Sequence, residues 1–243
     1  MPSSLRAALA ASVLALGAGD ALAHDTTPRN ALPAGLVRLA DIDASIRQDI
    51  RYAGSGNFLG RPVEGYAAPI CILTGQAAAA LATAQAELRA EKLTLVIFDC
   101  LRPIRAVDDL VAWTKADGKQ TSPWHPKVAR GELIAKGYVG LKSTHSRGST
   151  VDIAIAHETD ATTAEPACGV AARGMLDFGT GFDCFDEASR TASPSVDPQA
   201  AANRKRLVDL MARHGFRNYP GEWWHFTLAN EPFKEKRFDL EVR

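Results

Sequence analysis

The sequence predicts an α+β fold, a central, mainly antiparallel sheet flanked by helices, and three observations carry that expectation. Apolar residues dominate the run 93–98, the pattern of a buried strand. Over 150–156, Val151, Ile153 and Ile155 alternate with Asp152, Ala154 and Ala156, as side chains on the two faces of a strand do. Around these strands lie segments of good helix formers that begin on cap residues.

Residues 1–23 carry Arg6, an apolar run from Ala7 to about Ala18, and Ala21-Leu22-Ala23 as a small-x-small cleavage site, the plan of a secretory signal peptide. The run is shorter than the roughly 20 residues of a membrane span. The expectation is therefore a periplasmic protein, exported through a signal cleaved after Ala23, with no membrane span. Residues 24–243 hold no internal repeat and no low-complexity linker, which predicts one domain.

Leu39, Ile42, Ile46 and Ile50 recur at helical spacing and predict one short amphipathic helix. Residues 51–69, rich in Gly and aromatics, predict an ordered loop containing Tyr52 and Tyr66. Thr74 is placed to cap a helix through the Ala-rich segment to about Ala90. The strand over 93–98 ends at Asp99-Cys100-Leu101-Arg102-Pro103, and Pro103 is placed to start a helix carrying Val107, Leu110, Val111 and Trp113. Arg102 thus stands at a strand-to-helix junction, where side chains are presented at the end of a sheet. Residues 157–195 read as loop; Asp197 and Pro198 then start a helix through Leu207, Leu210 and Met211 that stops at His214-Gly215. Trp224, Phe226 and Leu228, alternating with His225 and Thr227, predict a last strand.

Lys+Arg and Asp+Glu balance at 28 each, so the chain lacks the basic excess that draws proteins to phosphates, and nucleic acid is not an expected partner. Export into an oxidising compartment favours disulfides for the four cysteines, none of them in C-x-x-C spacing. Three connectivities are open. Cys71 with Cys100 and Cys168 with Cys184 is favoured, because the second bridge would close a loop that lacks packing residues. Nothing in the sequence speaks to oligomeric state.

A catalytic zinc takes three protein ligands and leaves a fourth position open. His145, in a Ser/Gly-rich turn, and Asp152, in the strand that follows, could converge; His225 would be the third ligand. Glu222 precedes His225 by three residues behind the turn Pro220-Gly221. A continuous strand would send those two side chains to opposite faces, so Glu222 must lie in the turn to serve the same site. The chain has no H-E-x-x-H, which removes the helical zincins. His125, His157 and His214 read as ordinary hydrogen-bonded histidines, His214 at the negative end of a helix.

Ser143-Thr144-His145-Ser146-Arg147-Gly148-Ser149-Thr150-Val151-Asp152 resembles the S-x-H-x-x-G-x-x-x-D signature of the D-alanyl-D-alanine metallopeptidases, and Glu222-Trp223-Trp224-His225 resembles their E-x-W-H. Asn57-Phe58, Arg61-Pro62-Val63, Gly65-Tyr66, Asp99 with Arg102-Pro103, and Gly179-Thr180 with Phe182-Asp183 extend the likeness to the VanX-type D-Ala-D-Ala dipeptidases, whose fold is the hedgehog-like one. The resemblance implies one zinc ion on His145, Asp152 and His225, with Glu222 as the base that activates water and Arg102 steadying the oxyanion. It also implies that Asp183 and Tyr66 hold the ammonium of a small dipeptide, with Tyr52 nearby, and that Ser143 and Asp99 shape the pocket. The activity implied is hydrolysis of D-Ala-D-Ala to D-alanine, in cell-wall dipeptide turnover or glycopeptide resistance. Two alternatives stand beside it: a D,D-carboxypeptidase or endopeptidase acting on longer stems, and a zinc-bearing peptide-binding module without turnover. Glu222 and Arg102 speak against the second, since binding alone needs neither. The chain departs from the family pattern in a longer stretch between Asp152 and Asp183, and in Leu101, where an aromatic is common.

Overall fold

Every side chain over Leu93–Asp99 is buried, and this segment forms strand β4 of the main sheet in a computed structural model that describes residues 1, 31–116, 120–159, 168–169 and 174–243. The segment expected to direct export lies outside the described residues, Met1 apart. Residues Leu32–Arg243 form one compact unit. Its elements, in chain order, begin with β1 (Leu36–Arg38), α1 (Leu39–Ile42), β2 (Arg47–Gln48), β3 (Ile72–Thr74), α2 (Gly75–Arg89) and β4. They continue with α3 (Ile104–Lys115), β5 (Thr150–His157), α4 (Pro198–Arg213), β6 (Phe216–Asn218) and β7 (His225–Leu228).

The main sheet has the order β2-β4-β5-β7-β6; β2 runs parallel to β4 and every other neighbouring pair is antiparallel. β1 and β3 pair separately as an antiparallel ribbon. The α+β architecture is the expected one. β5, flanked by β4 and β7, buries seven of its eight residues, which is why its alternation of branched and small side chains is packed on both faces. The hydroxyl of Thr74 accepts from Ala77 N–H at the start of α2, and Gln85 ties that helix to β4 by accepting from Leu95 N–H at 2.9 Å and donating to the Thr94 hydroxyl. Asp197 caps α4 by accepting from the N–H groups of Gln199 and Ala200, with Pro198 as its first residue. No helix of the described residues is long and apolar enough to cross a membrane.

One element differs from expectation. The helix expected over Leu39 to Ile50 is only the four residues of α1, after which the chain extends into β2. Leu39, Ile46 and Ile50 are buried while Ile42 is 45% exposed, so the shared spacing reports burial by an irregular segment rather than one helical face. The two favoured disulfides are both formed, Cys71 with Cys100 and Cys168 with Cys184.

Candidate metal centre

Strand pairing brings the site together. Asp152 of β5 lies opposite His225 of β7, and on its other side opposite Asp99 of β4, just past an irregularity between Ile97 and Asp99. His145 arrives from a single 3-10 turn, Thr144–Arg147, which is capped by the Ser143 hydroxyl accepting from His145 N–H at 3.2 Å. Gly148 ends that turn in the left-handed region at φ 76°, where glycine is favoured, and its N–H donates to the His145 carbonyl.

Three atoms then form a nearly equilateral triangle. His145 Nε2 is 3.3 Å from Asp152 Oδ1, His225 Nδ1 is 3.2 Å from the same oxygen, and the two nitrogens are 3.3 Å apart. The remaining ring nitrogens are occupied: His145 Nδ1 lies 2.8 Å from the Cys100 carbonyl, and His225 Nε2 lies 3.2 Å from the Thr144 hydroxyl. A nitrogen facing a carbonyl must carry the proton, so neutral His145 presents a bare lone pair at Nε2. Asp152 Oδ1 is buried without a hydrogen-bond partner. Lone pairs converging on one point, with a buried carboxylate oxygen left unsatisfied, are a donor set for a cation, and His145, Asp152 and His225 are the residues that would hold it.

Glu222 lies outside β7, in the turn that precedes it, with Oε2 3.5 Å from His225 Nδ1. Asn218 holds that turn by donating to the carbonyls of Glu222 and His225. A Cβ on Gly221 beside it would lie 2.6 Å from the Tyr219 ring, so any side chain there would displace that ring. Arg102 is pinned on Asp99 Oδ2 (2.8 Å from Nη2), reaches Asp152 Oδ2 at 3.5 Å, and stands 4.9 Å above the Tyr52 ring. The Tyr52 hydroxyl donates to Asp183 Oδ2 at 2.9 Å. Asp183 itself is 5% exposed and takes a left-handed φ of 60°. Its segment is anchored from behind by Arg204 of α4, which donates to the carbonyls of Phe178 and Arg190, and by Trp223, stacked on Phe178 and donating to the Thr180 hydroxyl.

A cavity of about 250 Å³ opens over these groups, and Tyr52, Arg102, Ser143, His145, Asp152, Asp183, Glu222 and His225 all line it. Tyr66, expected to hold the substrate ammonium, and Asp99, expected to shape the pocket, do not line it. The Tyr66 hydroxyl donates to Asp99 at 2.5 Å, and both residues stand behind Arg102, fixing the guanidinium rather than forming cavity wall. Burial raises the Glu222 carboxyl to about 7, with His225 and Arg102 opposing and Asp152 adding to the rise. Burial, and then the charge of Asp152, also push the Asp183 carboxyl well above the usual range.

Several residues at the site have no signal in the sequence. Thr144 and the Cys100 carbonyl choose which imidazole nitrogens face inward, Tyr219 packs edge-on to His225, and Lys142 lines the cavity. Only Thr144 lies within a motif, and there as an unspecified position.

A family model described as D-ala-D-ala dipeptidase matches residues 33–243. The chain is similar to the D-alanyl-D-alanine dipeptidase of Streptomyces coelicolor, 37% identical over 204 residues that span 83% of this chain and 95% of the relative. It is 35% identical to the D-alanyl-D-alanine dipeptidase of Enterococcus faecalis over 210 residues, 86% of this chain and 98% of the relative. The D-alanyl-D-alanine dipeptidase of Escherichia coli is 31% identical over 210 residues, 85% of this chain and 93% of the relative.

Proposed function

Because the chain belongs to the D-ala-D-ala dipeptidase family of metallopeptidases, we propose that it is an exported zinc dipeptidase that hydrolyses D-Ala-D-Ala to D-alanine. The observation that carries the reading is the triangle of His145 Nε2, Asp152 Oδ1 and His225 Nδ1, with sides of 3.2–3.3 Å. Three ligands at zinc distances of about 2.0–2.1 Å in tetrahedral array stand about 3.3 Å apart. The octahedral edge for an ion of magnesium's size is shorter, about 2.9 Å.

When bound, zinc supplies Lewis acidity toward water and the peptide carbonyl. The chain's own residues do the rest. Glu222, with its carboxyl near 7, is poised to take a proton from the attacking water and return it to the leaving amine. Arg102 enters the reaction already oriented by Asp99 and Tyr52, so its charge meets the developing oxyanion without reorganisation. Asp183, held by Tyr52, takes the substrate ammonium; the positive charge of that ammonium favours the ionised carboxylate that burial disfavours. A cavity of about 250 Å³ lies below the roughly 300–1,000 Å³ of sites that take drug-sized ligands, which suits a free dipeptide better than a longer stem.

Export through the N-terminal segment would place the enzyme in the periplasm, where two disulfides persist. The test is metal analysis of the purified mature protein together with D-alanine release from D-Ala-D-Ala and from N-acetyl-D-Ala-D-Ala. Stoichiometric zinc and preference for the free dipeptide are expected; preference for the blocked one would turn the reading to a carboxypeptidase.

A further inference from the structure

A zwitterionic dipeptide brings a carboxylate as well as an ammonium into the cavity, and both charges need a partner where water is partly excluded. Arg102 is already assigned: Asp99 and Asp152 engage its guanidinium, and its remaining donor capacity goes to the oxyanion. The other cation lining the cavity is Lys142, and among the described residues it has no hydrogen-bond or ion-pair partner. It stands beside Ser143 and Thr144, on the strip of wall where the catalytic cavity meets a second cleft of about 350 Å³. That cleft is lined by Lys142 with Lys234 and Arg237, likewise unpaired among the described residues, and by Arg147, which Glu231 neutralises at 2.6 Å. Glu235 is the opposing charge there. The flank is therefore net positive. The backbone that presents Lys142 is tightly turned: a Cβ on Gly140 would lie 2.8 Å from the Lys142 carbonyl oxygen, so the turn excludes any side chain at 140.

Building on the dipeptidase reading, we propose that Lys142 receives the C-terminal carboxylate of the dipeptide, with Lys234 and Arg237 reinforcing the positive field on that side. Asp183 and Lys142 then divide the two charges of the substrate between them. Because Lys142 is an exposed side chain, the pair is partly screened and its contribution is modest.

The experiment compares kcat/KM for D-Ala-D-Ala with that for D-alanyl-D-alaninamide, which lacks the carboxylate charge, in the zinc-loaded enzyme and its variants. Lys142→Ala is expected to reduce the acid-over-amide preference about five- to tenfold, through KM, with zinc content unchanged. Lys142→Arg should restore it, and Lys142→Glu should depress it further. An unchanged preference in Lys142→Ala overturns the assignment while leaving dipeptidase activity standing. So does an equal loss in Lys234→Ala or Arg237→Ala, neither of which lines the catalytic cavity. Failure of the wild type to release D-alanine from either substrate removes the dipeptidase reading, and this inference with it.

Discussion

A single carbonyl decides what His145 can do. With Nδ1 held by the Cys100 oxygen, Nε2 is left bare toward Asp152, while the Thr144 hydroxyl, able to accept or to donate, fixes the orientation of the His225 ring. Glu222 stands beside this pair without belonging to it, which separates proton transfer from metal binding. Glu222→Gln keeps the shape and removes the base; kcat for D-Ala-D-Ala should fall about a hundred- to ten-thousand-fold, with zinc content unchanged by elemental analysis. Loss of zinc in that variant would make Glu222 a ligand instead. Asp183 permits a test with a pH signature. Its folded carboxyl lies above the unfolded value of about 3.9, so as pH rises past that value the unfolded chain ionises first and stability falls. Asp183→Asn removes this dependence. The urea midpoint of the metal-free variant should exceed that of the metal-free wild type at pH 7 and converge with it below pH 4, while KM for the dipeptide rises. The residues whose chemistry is carried by side-chain type in a motif, His145, Asp152, Glu222 and His225, were legible in the sequence. Tyr66 and Asp99 were legible as important, but not as supports: whether a tyrosine faces substrate or an internal aspartate depends on where Arg102 falls in space.

Elements were legible where they were long. α2, α3, α4, β4 and β5 each carry enough residues for a period or a cap to show. β1, β2, β3 and β6 have two or three residues each, too few for an alternation, and are strands because partners pair with them. α1 failed in the other direction: burial of Ile46 and Ile50 imitated a helical stripe. The 3-10 turn at Thr144–Arg147 is the short element on which the site depends, and its geometry rests on Gly148. A Cβ there would meet the Leu36 side chain at 3.0 Å, on a backbone at φ 76° that L-residues rarely adopt. Gly148→Ala should cost about 1–2 kcal/mol in urea unfolding, and by shifting His145 it should also weaken zinc affinity measured by chelator competition. A stability loss with unaltered affinity would show that the turn absorbs the strain without moving the imidazole.

At the scale of the whole molecule, the three candidate ligands come from a turn, a central strand and a strand near the other end of the chain, 80 residues separating His145 from His225. An unfolded chain cannot hold them together, so a metal that binds the triangle binds the folded state alone and adds its binding free energy to stability. At a free zinc concentration a hundred times Kd the gain is about 2.7 kcal/mol. For a unit of this size each kcal/mol moves Tm by about 2–4 °C, so chelation should lower Tm by about 5–11 °C. Zinc added back should restore it. His225→Ala removes one corner of the triangle without touching the apolar core of β7, where Phe226 and Leu228 are the buried side chains. That variant should therefore melt at nearly the same temperature with and without zinc, close to the chelated wild type. If it still gained stability from zinc as the wild type does, the ion would be bound elsewhere, and the lone pairs gathered at Asp152 would need another cation to explain them.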